Sequence, residues 1–145
     1  MREQEIKNIG NLMNDISNKV VKTEEKQLQR LGFLDITLSE AHVINAITEV
    51  QQKTNSEVAQ ELELSPGTVT VIVNHLLKKG YVSRSRRDGD RRTVNLGLTK
   101  KGKKFYRVYR LYYYLMIQTA VEDLSDTEVQ ILSKSLKKIN TFFGS

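Results

Sequence analysis

Cysteine is absent from the 145 residues. That excludes disulfides, thiolate metal sites and redox sensing through a thiol. Histidine is scarce, with only His42 and His75, and zinc takes about four ligands, so no metal site is expected. The plain reading of His42 is a helix residue lining a core or pocket; that of His75 is a polar helix edge. No run of about 18 apolar residues occurs, so nothing here is expected to span a membrane. Residues 1–5 are polar and contain no signal-peptide core, and a cytoplasmic protein is expected. Chemistry is missing too: there is no Gly-rich phosphate loop, no cysteine nucleophile and no acid pair placed in an obvious cleft. No catalytic residue is assigned, and an enzyme is not expected. The length suits one domain with a real core.

Positive charge is present in excess, and it is concentrated. The net charge is +6, yet residues 78–110 hold thirteen Lys and Arg against two acids, while the rest of the chain holds ten bases against fifteen acids. A solvated face normally mixes signs, so this concentration points to a polyanion. Nucleic acid is the leading partner and an acidic membrane surface the weaker one.

The single proline marks the central segment, residues 65–80. Ser65 is a good N-cap, and Pro66 takes the first helical position, where its missing N–H costs nothing. Gly80 closes the segment behind Lys78 and Lys79, cations that suit the negative end of a helix dipole. Val69, Ile72, Val73, Leu76 and Leu77 share one helical face, leaving Thr68, Thr70, Val71, Asn74 and Lys78 outward. Residues 68–73 are all β-branched, and propensity alone would make them a strand. The caps and the helical spacing outweigh that. Upstream, Thr54 and Glu57 form a capping box that opens a short helix through Val58, Ala59 and Leu62. Two helices joined by a tight turn make a helix-turn-helix, with the second as reader. Downstream, residues 81–87 and 93–98 read as strands around the turn Asp88-Gly89. That hairpin carries Arg84, Arg86, Arg87, Arg91 and Arg92. The expected fold class is therefore mainly α, a winged helix-turn-helix with a small β-hairpin wing.

Thr68, Thr70 and Asn74 are expected to read bases. Lys78, Arg84, Arg86, Arg91 and Arg92 are expected to engage phosphate or the minor groove, and Ser65, Gly67, Arg87 and Asp90 complete the DNA-binding set. Asp90 would pair with Arg91 or Arg92 to hold the wing, leaving the other for DNA. An adaptor that uses this fold without DNA is the rival, since fold alone does not fix function.

Helices flank this module. Ile6, Ile9, Met13, Ile16 and Val20 give a long amphipathic first helix, its stripe either core or subunit interface. Residues 31–38 connect onward, anchored by Phe33, Leu34 and Ile36. Thr37 and Glu40 start a helix bearing Ala41, Val43, Ile44 and Ile47, and residues 51–53 read as a polar turn. Thr99 is a candidate N-cap for a long helix reaching Val121. Its first turns bear Lys100, Lys101, Lys103, Lys104, Arg107 and Arg110. Cations there oppose the dipole, so local stability does not explain them. Five of six tyrosines lie within residues 106–114, either packing with hydroxyls at the rim or walling an effector pocket. Ser125 and Glu128 form a further capping box, followed by a heptad-like seam of Val129, Leu132, Leu136, Ile139 and Phe143.

These residues resemble the MarR family of bacterial transcription regulators. Its signature Asp-x-Arg, five residues, Leu-Thr is met by Asp90, Arg92, Leu98 and Thr99, and the preceding pattern by Ser65, Val69, Thr70, Val73, Leu76, Gly80, Val82 and Arg84. The resemblance implies one domain over residues 1–145, with 37–99 the DNA-binding module and 1–30 and 100–145 dimerisation helices. It implies a homodimeric repressor on a pseudo-palindromic operator, with Ile6, Ile9, Leu132, Leu136 and Ile139 at the interface. The family's oxidant-sensing branch works through cysteine, which this chain lacks. Asp35-Ile36 with Glu40 and His42, Gly67-Thr68-Val69-Thr70, Lys79-Gly80-Tyr81 and the run Asp90-Arg91-Arg92 to Leu98-Thr99-Lys100-Lys101-Gly102 are similar to the fatty-acid-biosynthesis repressor branch. That implies lipid-synthesis operators and an acyl-chain corepressor delivered on acyl carrier protein, with no other cofactor. Ile16, Val20, His42, Ile44, Val108, Tyr112 and Met116 would line the effector pocket. The alternative is a small aromatic or phenolic ligand that releases DNA.

Overall fold

Each helix start marked by a capping residue in the sequence is a helix start in the computed structural model, which describes residues 1–49, 52–86 and 93–144. The described elements run α1 (Arg2–Arg30), α2 (Leu38–Ile47), β1 (Lys53–Thr54), α3 (Asn55–Leu62), α4 (Pro66–Lys79), β2 (Val82–Arg86), β3 (Val94–Leu98), α5 (Lys100–Val121) and α6 (Asp126–Phe143). Thr37, Thr54 and Ser125 each accept from the backbone N–H three residues on, and the glutamate there accepts from the cap's own N–H. Ser65 Oγ accepts from Thr68 N at 3.2 Å, with Pro66 at the first helical position. Caps of this kind contribute about 1 kcal/mol each. Thr99 Oγ1 accepts from Gly102 N at 3.1 Å and caps α5 as expected.

The chain forms two compact units, Met1–Val108 and Tyr109–Ser145. In the first, α2, α3 and α4 pack together with β3. Val43, Ile44, Ile47, Val58, Val69, Val73, Leu76 and Leu96 are buried there, and each aliphatic side chain so buried stabilises by about 1.5–3 kcal/mol. The β-branched run 68–73 is helical because Val69 and Val73 fill this core one turn apart. Phe105, fully buried, meets the Phe33 ring edge-on at 4.8 Å and the Tyr81 ring at 6.2 Å.

Strands β2 and β3 pair antiparallel as the expected hairpin, and β1 adds a third strand, in the order β1-β3-β2. Two other expectations need correction. Lys53, expected in a polar turn, and Thr54, expected only as a helix cap, pair with Leu96 and Asn95. The strand is too short to carry a periodic signal. What holds it is Lys53, buried, whose Nζ donates to Ala46 O at 2.6 Å and to Glu61 Oε1 at 2.5 Å. The second correction concerns Leu34, which is 78% exposed. It sits in the turn between Phe33 and Ile36, and those two anchor the connection without it.

Along α1 only Glu24 and Leu28 are buried, and Ile6, Ile9, Met13, Ile16 and Val20 stand exposed. In the second unit, Ile117 and Val121 of α5 and Val129, Leu132 and Leu136 of α6 line a groove of about 480 Å³. Tyr109 and Tyr112 each contact the Tyr113 ring, at 5.1 and 5.7 Å. No helix among the described residues is long and apolar enough to cross a membrane.

Candidate nucleic-acid interface

The reading helix is held at both ends. At its start, the turn from α3 uses Glu63 in the left-handed region (φ 55°), and Leu64 N donates to Ala59 O at 2.9 Å. Asn55 Nδ2 then donates to Pro66 O at 3.1 Å, tying the first residue of α3 to the first of α4. Asn55 carried no pattern in the sequence; only the fold brings it to the interface.

At the other end a denser set of contacts converges. Gly80 takes φ 82°, a left-handed conformation that glycine adopts freely. Lys79 Nζ donates to Asp35 O at 2.5 Å and to both Glu40 oxygens at 2.8 and 3.0 Å. Tyr81 OH donates to Asp35 Oδ1 at 2.8 Å. Lys101 Nζ lies 4.3 Å from the Tyr81 ring centre and donates to Lys79 O at 2.9 Å. Thr99 Oγ1 donates to Gly80 O at 2.6 Å. Gly102 abuts the Tyr81 carbonyl so closely that an added Cβ would come within 2.1 Å of its oxygen. Burial opposes the Glu40 carboxylate, but the bonds from Lys79 and Thr37 outweigh it and hold its pKa below the ordinary value. Burial, reinforced by Asp35, pushes the Tyr81 phenol well above its ordinary range.

Between these anchors Thr68, Thr70, Val71, Asn74 and Lys78 are exposed, as the helical spacing implies. Their polar groups are partly engaged. Ser65 Oγ and Thr68 Oγ1 share a hydrogen bond of 2.8 Å, and Thr70 Oγ1 donates to Pro66 O at 2.9 Å. Arg84 Nη2, from β2, donates to Asn74 Oδ1 at 2.7 Å. A cleft of about 440 Å³ opens where helix meets wing, lined by Asn55, Thr70, Val73, Arg84, Arg86 and Leu96 among others. Gly67 is exposed, and an added Cβ would meet nothing within 4 Å, so the chain's own packing does not demand a glycine there. Arg87, Asp90, Arg91 and Arg92 lie outside the described residues.

The residues assigned to an effector pocket are dispersed over the elements. Ile44 is fully buried in the core and His42 is exposed on α2; Ile16 and Val20 are exposed on α1. Tyr112 is half-buried and Met116 exposed in the second unit. Val108 is half-buried beside Lys100, Lys101, Lys103, Lys104 and Arg107, which line a broad depression of about 940 Å³ with it. Arg107 is paired with Glu49, whose pKa is lowered chiefly by that hydrogen bond.

Known proteins share this architecture. The MarR family pattern matches residues 36–94. An uncharacterized HTH-type transcriptional regulator of Bacillus subtilis, YwhA, is 40% identical over 94 residues, covering 65% of this chain and 68% of the relative. The crystal structure of Streptococcus pneumoniae FabT in complex with DNA is 34% identical, with TM-score 0.84, covering 94% of this chain and 96% of that one. The Staphylococcus aureus MepR–DNA complex is 25% identical, with TM-score 0.70 and coverage of 92% and 96%. The chain belongs to the MarR family of winged helix-turn-helix transcription regulators.

Proposed function

We propose that this DNA-binding regulator is a cytoplasmic homodimer that represses fatty-acid-synthesis genes, with a long acyl chain on acyl carrier protein as corepressor. The observation that carries the lipid assignment is the likeness to DNA-bound FabT, which extends over 94% of the chain rather than the reading module alone. Dimerisation is supported by the apolar faces left uncovered on α1 and α6, where Ile16 is 59% and Leu136 54% exposed. Contiguous apolar surface of this kind marks an interaction site. Two copies would set their reading helices about 34–36 Å apart, one turn of DNA. The carrier is supported by the cations of the first turns of α5, which oppose the helix dipole and line a broad depression. An acidic carrier would be attracted there, and a ligand tightens DNA binding only if it favours the DNA-competent form.

Gel shifts on an operator upstream of a lipid-synthesis gene test this, comparing long-chain acyl carrier protein, the unacylated carrier and salicylate. Tighter binding with the acylated carrier alone is the expected result. Indifference to acylation, or release by salicylate, overturns the corepressor.

A further inference from the structure

Asparagine and arginine read different bases. Asparagine pairs with adenine in the major groove by accepting from N6 and donating to N7, whereas arginine donates twice to guanine O6 and N7. The first scheme turns on the amide oxygen as acceptor. In this structure Asn74 Oδ1 already accepts from Arg84 Nη2 at 2.7 Å, which leaves it one lone pair with a cation beside it, a poor place for an amino group. The amide orientation follows from chemistry, since a guanidinium has no acceptor and only the oxygen can face it. Asn74 is left with the N–H donors of its Nδ2, and Arg84 with its remaining N–H groups. The joint surface they present is cationic and dominated by donors.

The geometry is built by the fold. Arg84 is fixed in register on β2, opposite Leu96 of β3, and β3 is itself held on its other edge by β1. Asn74 is on the outward face of α4, with Val73 beside it locked in the core. Both side chains are exposed, and the cleft beside them includes Arg84, Thr70 and Asn55. Arg84 is thereby drawn onto the reading helix.

We propose that Asn74 and Arg84 read DNA as one cationic, donor-rich unit, and so specify a guanine rather than an adenine. The inference rests on the DNA-binding reading and adds the base that one position selects. Guanine presents two acceptors to such a unit. Adenine and cytosine each place an amino group against it, donor against donor, and thymine offers one acceptor.

The test begins with duplexes selected by the protein from a random-sequence pool. Each base pair is then substituted in turn and titrated against the wild type, Asn74→Ala, Arg84→Ala and the double variant. The expected result is one guanine per half-site whose change to adenine or to 7-deazaguanine weakens the wild type by roughly 5- to 150-fold. Both single variants lose discrimination at that same position, and the double variant loses no more than the worse single one. Arg84→Lys keeps the charge but not the fork, so it keeps the salt dependence and loses the preference. Thermal melts should be unchanged, as both side chains are exposed. An adenine at the position Asn74 reads, or single variants relaxing different positions, overturns the proposal while leaving DNA binding intact. So does full discrimination by Arg84→Lys. Failure to select any sequence would remove the DNA reading as well.

Discussion

At Gly102 the backbone has no room for a side chain. A Cβ would sit 2.1 Å from the Tyr81 carbonyl oxygen and 3.3 Å from Leu98 Cβ. The first contact is with backbone, so relief needs a shift of the main chain rather than a new rotamer. Gly102→Ala should destabilise the fold by about 1–3 kcal/mol, as overpacking does, and a melting curve measures it. An unchanged melt would mean that α5 can move off Tyr81 without cost. A few residues away, Glu40 makes a pH-dependent contribution. Its folded pKa lies below the ordinary 4.5, so the unfolded state takes up protons first as the solution is acidified. The stabilisation is complete above about pH 4.5 and declines as pH falls through the lower folded value. Glu40→Gln should flatten the acid limb of a stability–pH curve and leave its shape above pH 6 alone. A variant with the wild-type acid limb would assign that slope to other carboxylates.

Among the elements, α3 shows how a local rule reaches the interface. Thr54 caps it and is also part of β1, so one residue joins the third strand to the helix-turn-helix. Thr54→Ala should cost about 1 kcal/mol of stability, read by urea denaturation, and should loosen Asn55 from Pro66. Caps, the turn and the alternating faces of α4 were legible because each depends on neighbours within one or two turns. The β-branched run 68–73 was legible only by weighing caps against propensity. What lay beyond local reading depends on distant partners. β1 exists because Lys53 reaches Ala46 and Glu61. Leu34 faces outward because Phe33 and Ile36 take the inward places on either side of its turn. The Asn74–Arg84 bond joins two elements that a sequence reading treats separately, so no local pattern announces it.

For the whole molecule the open question is what covers the apolar faces of the terminal helices. Leu136→Glu places a charge on the α6 seam, and a charge buried without a partner is costly. Light scattering at micromolar concentration should find dimers for the unaltered chain and monomers or insoluble protein for the variant. A monomeric unaltered chain would sink the dimer. Duplex affinity should fall steeply with salt, because exposed cations such as Lys78, Arg84 and Arg86 would displace counterions from DNA. A shallow dependence would favour a partner other than nucleic acid.

The close seating of Gly102 on the Tyr81 carbonyl also has a mechanical meaning. Two backbones in contact have no torsional slack between them, so the first turn of α5 and the last turn of α4 behave as a single machined part. Lys101 and Thr99, bonded to Lys79 and Gly80, fasten the same joint from either side. From that joint α4 extends for 14 residues, a lever about 21 Å long at about 1.5 Å per residue. A pivot of about 5° at the joint would sweep the far end through about 2 Å, several times the roughly 0.5 Å spread of hydrogen-bond lengths. Because Asn55 also ties the far end to α3, a twist at the start of α5 would have to break that bond or carry α3 with it to disengage the base-reading tip.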